Sequence, residues 1–190
     1  MSEKDTKLRI VSIAEELFYR KGYKATTTRD IAKMANINIS MINYHFRTKE
    51  DLYIEIIKKI NPILALIYND SKKSGSIHNY INISIAECFR NPRIIHIFLY
   101  EQFQSSSPRI KKMIDQIEQE HFEHYQSFFR CSKENDLDEK RIQMTYYSIF
   151  GLFKEIFGFQ SFKNNIEKDE LIKMMTSFID DKILGTKLWE

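Results

Sequence analysis

The sequence predicts an all-α chain in which a small three-helix domain precedes a larger helical one. Three observations carry that expectation. The 190 residues include only five glycines and three prolines, against roughly 23 in an average chain of this length; strands and tight turns need that punctuation. Periodicity and capping signals for helices run almost from end to end. Composition also shifts near residue 50. Residues 1–50 hold ten Lys or Arg against six Asp or Glu and the remainder 19 against 20, while 20 of the 25 aromatic residues lie beyond residue 50. The expected division is therefore 1–50 and 51–190, coupled through a helix over 49–60.

Each element has a local cause. Ile10, Val11, Ala14, Leu17 and Phe18 put one apolar face on a helix over 6–21. Gly22 follows as a C-cap free to turn left-handed. Thr27, with Asp30 three residues on, forms a capping box that opens a helix through Ala35. Asn38 is the N-cap of a helix through Phe46. Thr48 with Asp51 is a second capping box, opening a helix that carries Leu52, Ile56 and Ile60 before Pro62. Beyond Pro62, helices are expected over 76–90, 93–104, 108–130, 138–160 and 167–186. Breaks fall at Ser74-Gly75-Ser76, Asn91-Pro92, Ser105 to Pro108 and Lys133 to Asp136.

Only Asn36 and Ile37 separate the second helix from the third, which is the spacing of a helix-turn-helix. Asn36 stands where glycine is common, and Asn is the next residue best able to take a positive φ. In the third helix Ile42 and Phe46 anchor one face, leaving Ile39, Ser40, Asn43, Tyr44 and His45 on the rest. That surface is neutral and rich in hydrogen-bonding groups. A helix reading a major groove needs such groups, plus an apolar contact for the thymine methyl. Asn43 can bond adenine bidentately and Ile39 can touch a thymine methyl. Tyr44 and His45, near the helix end, suit phosphate oxygens, and Asn38 at its start is counted with them. Lys49 combines a cation with a helix N-terminus. Thr27 and Thr28 open the second helix, also well placed for phosphate. The basic excess of residues 1–50 is the footprint expected for an anionic polymer. Singly, each residue has a plainer reading: Thr27 as a cap, Tyr44 as packing, His45 as a surface histidine. Their joint arrangement points to double-stranded DNA as the partner.

Residues 8–55 resemble the N-terminal domain of the TetR/AcrR family of bacterial transcriptional repressors. The likeness is carried by Ala14, Leu17 and Phe18, by Gly22-Tyr23, and by the run from Ala25 through Thr26, Thr27, Thr28, Arg29, Asp30 and Ile31 to Ala32. It continues through Ala35, Ile37 and Asn43-Tyr44-His45-Phe46 to Thr48-Lys49-Glu50 and Leu52. The chain departs from the family at Asn36, where the turn usually has glycine, at Ile39-Ser40, where Lys-Gly is common, and at Asn43, where Tyr is usual. These departures bear on base preference, because Ile39 and Asn43 sit on the reading face. The resemblance implies a ligand-responsive repressor that binds a palindromic operator as a homodimer and is released by a small hydrophobic effector. It also implies dimerisation through the last two long helices. Gly151 and Gly158, seven apart, and Met175 and Phe178 are the candidate interface residues. Phe98, Phe103, Phe122, Tyr125 and Tyr147 are candidate linings of an effector pocket, which is mostly apolar in most proteins.

Other classes find little support. No uncharged stretch exceeds 13 residues, whereas a membrane span needs about 18 apolar ones. The polar start has no signal-peptide core. Cys88 and Cys131 lack metal-type or redox-type pair spacing. A cytoplasmic protein without membrane contact is expected. His121 and His124 are one turn apart beside Glu120 and Glu123, but no third ligand is identifiable, so no metal is assigned. No nucleophile–base motif or catalytic carboxylate pair is visible, so neither an enzyme nor a cofactor is expected. The rival reading is a helical ligand-binding or interaction protein that keeps the scaffold without acting through DNA. A salt-dependent shift on DNA fragments separates the two.

Overall fold

The structure is a computed structural model that describes residues 3–131, 138–158 and 167–178. Among the described residues there are ten helices and no strand. The chain packs as two units, one formed by residues 1–60 with 93–114 and the other by 61–92 with 115–190. Residues 51–60 thus pack with the first fifty, as does one later segment, 93–114.

The first unit holds α1 (Glu3–Ala25), α2 (Thr28–Ala35), α3 (Ile39–His45) and α4 (Lys49–Ile57). It also holds residues 93–103 of α7 (Pro92–Phe103) and the first turns of α8 (Pro108–Cys131). Helix α1 packs on α2 and α4, and α2 packs on α3. The predicted apolar face of α1 is buried at Ile10, Val11, Ala14, Leu17 and Phe18. Phe18 meets the ring of Tyr53 on α4 edge-on at 4.6 Å, and Tyr23 lies 4.8 Å from the same ring. Burying a side chain of this size stabilises by about 1.5–3 kcal/mol.

Gly22 breaks α1 with φ 77° and ψ 168°, a region essentially reserved for glycine. The predicted stop is therefore a kink, and a last turn runs on to Ala25. Buried Thr26 closes that end by donating its hydroxyl to the carbonyls of Leu17 and Gly22 at 3.2 and 2.9 Å. The capping box forms around Thr27 and Asp30, and at the start of α4 the Thr48 hydroxyl accepts the Asp51 N–H and donates to the Asp51 carboxylate. Asn36 takes the left-handed conformation, φ 49° and ψ 51°.

The expected stop at Pro62 is not where the chain breaks. Helix α4 ends at Ile57, and α5 (Ile60–Ser74) begins after Lys58-Lys59 and runs through Pro62. Pro62 falls in the first turn of α5, where its missing N–H has no helical acceptor to lose. Pro92 and Pro108 likewise open α7 and α8, the first-position preference of proline.

The second unit contains α5, α6 (Ile77–Arg90), the remainder of α8, α9 (Glu139–Gly158) and α10 (Lys168–Phe178). Helix α6 packs against α10. Ile81, Ile85, Tyr125, Phe128, Phe129, Tyr146 and Ile149 are among its buried side chains. The predicted break at Lys133 to Asp136 and the extension of the last helix to 186 lie outside the described residues. Met175, expected at an interface between copies, is buried within its own unit together with Leu171, one turn earlier. The outward face of α10 carries Met174 and Phe178 instead. Gly151 is exposed, with open space where a Cβ would stand. Of Gly158 only its place at the end of α9 is described.

Candidate nucleic-acid interface

Helix α3 is anchored by Ile42 and Phe46, both buried. Its other face presents Ile39, Ser40, Asn43 and Tyr44 to solvent, Tyr44 being 69% exposed. Asn38 caps the helix by accepting the Ser40 N–H at 2.9 Å. That bond uses the side-chain oxygen of Asn38, which is itself exposed. The Tyr44 hydroxyl donates to Glu3 at 3.1 Å, and the bond together with the charge of Glu3 raises its pKa. His45 is half-buried beside the ring of Tyr44, at 5.1 Å, and its Nε2 is shielded without a hydrogen-bond partner. Packing therefore accounts for His45 in this conformation. Thr27 is exposed but spends its hydroxyl within the capping box, and the bonds it donates to Asp30 lower that carboxyl's pKa. Thr28 follows it, half-buried at the first position of α2.

Lys49 stands differently from its expected phosphate role. Its ammonium donates to the carbonyls of Tyr23 and Thr26 at 2.7 and 2.9 Å and lies 4.1 Å from the Tyr23 ring centroid. Partial burial lowers its pKa. A cation at these carbonyls fixes the junction between α1 and α2, from which Thr27 and Thr28 project.

Sequence reasoning missed the polar cluster that holds α4 from its other side. Glu101 of α7 is fully buried and accepts bonds from the Tyr53 hydroxyl at 2.8 Å and from the Ser106 N–H and hydroxyl at 2.8 and 2.6 Å. Burial, followed by the charge of Glu101, raises the Tyr53 pKa far above that of an ordinary tyrosine. The Ser107 hydroxyl donates to Glu50, and Arg109 pairs with Asp51 at 2.6 Å and with Glu50 at 3.4 Å. The Arg109 bond is the largest cause of a lowered Asp51 pKa, followed by the bond from Thr48. The α4 residues and their partners are 48 to 59 residues apart in the chain, so no local signal marks them.

The five pocket candidates have different surroundings. In the first unit Phe98 is core and Phe103 is 52% exposed. In the second, Phe122 and Tyr147 line a cleft of about 220 Å³ between α8 and α9. Tyr125 is core, edge-on to Tyr146 at 5.2 Å. Asp115 and Glu118 join Phe122 on the α8 wall, and Tyr146, Phe150 and Lys154 join Tyr147 on the α9 wall. His121 is buried between two tyrosines, with Nε2 3.1 Å from the Tyr80 hydroxyl and Nδ1 3.1 Å from that of Tyr146. Burial above all, then the charge of His124, brings its pKa down to about 4. Among the described residues no group of His, Cys, Asp or Glu is arranged to hold a metal.

Residues 10–56 match the family described as bacterial regulatory proteins, tetR family. The HTH-type transcriptional regulator QacR of Staphylococcus aureus is 45% identical over 49 residues, 26% of each chain. The negative transcriptional regulator IcaR of the S. aureus biofilm operon icaADBC is 37% identical over 70 residues, 35% of this chain and 38% of IcaR. These matches thus span well under half the length of either relative. Both relatives are HTH-type transcriptional regulators. Over nearly the whole chain the fold is that of a TetR/AcrR-family regulator from Aquifex aeolicus (TM-score 0.75, 20% identity, covering 92% of this chain and 98% of that one). MbdR from Azoarcus sp. CIB is as similar (TM-score 0.75, 16% identity, 92% and 96% covered). No described helix is long and apolar enough to cross a membrane. The N-terminal segment, residues 10–56, is thus similar to the tetR family of bacterial regulatory proteins, and the chain shares the fold of TetR/AcrR-family regulators.

Proposed function

We propose that the protein is a ligand-responsive transcriptional repressor that binds a palindromic DNA operator as a dimer and is released when a small effector binds its second unit. The observation that carries the DNA reading is the face of α3. Ile39, Ser40, Asn43 and Tyr44 are exposed together on a short helix fixed from behind by Ile42 and Phe46. Two such helices about 34–36 Å apart would meet successive major-groove faces of one duplex. The exposed Met144, Tyr147 and Gly151 of α9 and Met174 and Phe178 of α10 support dimerisation through these two helices.

Release is a population shift, and the effector can move it only by its differential affinity for the two states. Helix α8 supports a route for it. Residues 108–114 belong to the first unit and 115–131 to the second, within one continuous helix. The cleft residues Asp115, Glu118 and Phe122 therefore share a rod with Arg109, whose partners Asp51 and Glu50 open α4. A change in α8 reaches α4, and through Lys49 the junction ahead of α2.

Selection of bound fragments from genomic DNA, followed by sizing of the complex, tests the reading. The expected result is a two-fold symmetric site bound by two chains, or a pair of such dimers. Tight binding of one chain to a half-site would overturn the dimer model. No salt-dependent binding to any fragment would favour a scaffold that does not act through DNA.

A further inference from the structure

Several polar groups on and around α3 are already spent inside the first unit. The Asn38 side-chain oxygen takes the Ser40 N–H. The Tyr44 hydroxyl is donated to Glu3. His45 is half-buried against the Tyr44 ring with its Nε2 shielded. Lys49, which opens α4, is held by the carbonyls of Tyr23 and Thr26. Arg47 lies past the buried Phe46, beyond the end of the helix. What α3 leaves exposed for a base edge is Ile39, Ser40 and Asn43.

These three side chains carry no charge, and that decides which bases they can select. Guanine is read by the forked donors of Arg or Lys, and cytosine by a carboxylate. A serine hydroxyl bonds to any base. An amide pairs bidentately with adenine N6 and N7, and an apolar side chain packs on the thymine 5-methyl. Asn43 follows Ile39 by four residues, so the two share a face and stand about 6 Å apart along the helix. Base pairs rise by ~3.4 Å, which puts the two contacts on neighbouring pairs or on pairs separated by one.

We propose that α3 selects a closely spaced couple of A·T pairs in each half-site, with Ile39 on a thymine methyl and Asn43 on the N6–N7 edge of an adenine. Ser40 adds a hydrogen bond without choosing a base. The proposal rests on reading the first unit as the DNA-binding head and names the bases that this head selects.

The test starts with selection of duplexes by the full chain from a random-sequence pool. In the selected duplex each thymine in turn is replaced by uracil, which removes only the 5-methyl. Each adenine in turn is replaced by 7-deazaadenine, which removes only the N7 acceptor. One uracil position is expected to weaken binding about fourfold, the worth of one buried methyl. One 7-deazaadenine position is expected to weaken it about fivefold, the worth of one hydrogen bond. The uracil loss should vanish in Ile39→Ala and persist in Asn43→Ala, and the 7-deazaadenine loss should do the opposite. The two positions should lie no more than about two base-pair steps apart. The analogues alter the DNA and leave the chain intact, so tolerance of all of them by the parent overturns the proposal. A uracil loss that persists in Ile39→Ala, or a 7-deazaadenine loss that persists in Asn43→Ala, overturns it too, and each of these outcomes leaves DNA binding standing. A chain that retains no duplex from the pool even at low salt overturns the DNA reading itself, and this proposal with it.

Discussion

Asn43 and Lys49 stand six residues apart and differ in what their polar atoms are free to do. The exposed Asn43 amide suits a base edge. Asn43→Ala is expected to cost about 1–3 kcal/mol on the preferred operator and to relax discrimination at one base pair. Competition shifts across single-base variants of the operator measure this; an unchanged ranking of sites would remove α3's exposed face from the reading role. Lys49 is engaged by two carbonyls. Lys49→Met is expected to cost about 1–2 kcal/mol of folding stability in urea denaturation, because those carbonyls lose their donor. A loss of about one unit of salt slope at unchanged stability would place the ammonium on a phosphate instead. The caps at Thr27 and Thr48 and the turn at Asn36 were legible in the sequence because their partners lie within four residues. Lys49 was not, because its partners lie 26 and 23 residues earlier.

At the scale of helices, periodicity found the elements but not always their neighbours. Helix α5 was missed because Pro62 reads as a terminator, although a proline in a first turn removes no helical bond. The stripe on α10 was seen, but Met175 and Met174 differ by only one step around the helix. Which of them faces inward depends on where α6 lies, and no local pattern records that. The anchoring of α4 is likewise non-local. Tyr53→Phe keeps the ring against Phe18 and removes the donor to the buried Glu101 carboxylate. Bonds to charged groups contribute about 1.5–3 kcal/mol, and a loss of that size is expected in chemical denaturation. A variant as stable as the parent would show that Ser106 alone satisfies Glu101.

Across the molecule, acid should weaken folding through His121. An ordinary histidine takes up its proton near 6.5, and His121 in the folded chain near 4. Between those values the unfolded state binds more protons, so stability rises with pH. The contribution is full above pH 6.5 and falls by on the order of 3 kcal/mol as pH drops to 4. That is a large share of the roughly 5–15 kcal/mol typical of a folded chain. Urea midpoints at pH 7 and 4.5 should separate strongly in the parent and much less in His121→Gln. An equal separation in both would assign the acid sensitivity to other groups.

The first unit is made of two stretches of chain, 1–60 and 93–114. A fragment cut after residue 60 would keep α1 to α4 but lose Glu101, Ser107 and Arg109, leaving Tyr53, Glu50 and Asp51 without partners that hold them here. Transplanting this reading head onto another sensor therefore requires grafting residues 93–114 as well. A chimera joined at a single point after α4 would carry every groove-facing side chain of α3 and still lack part of the frame that supports them.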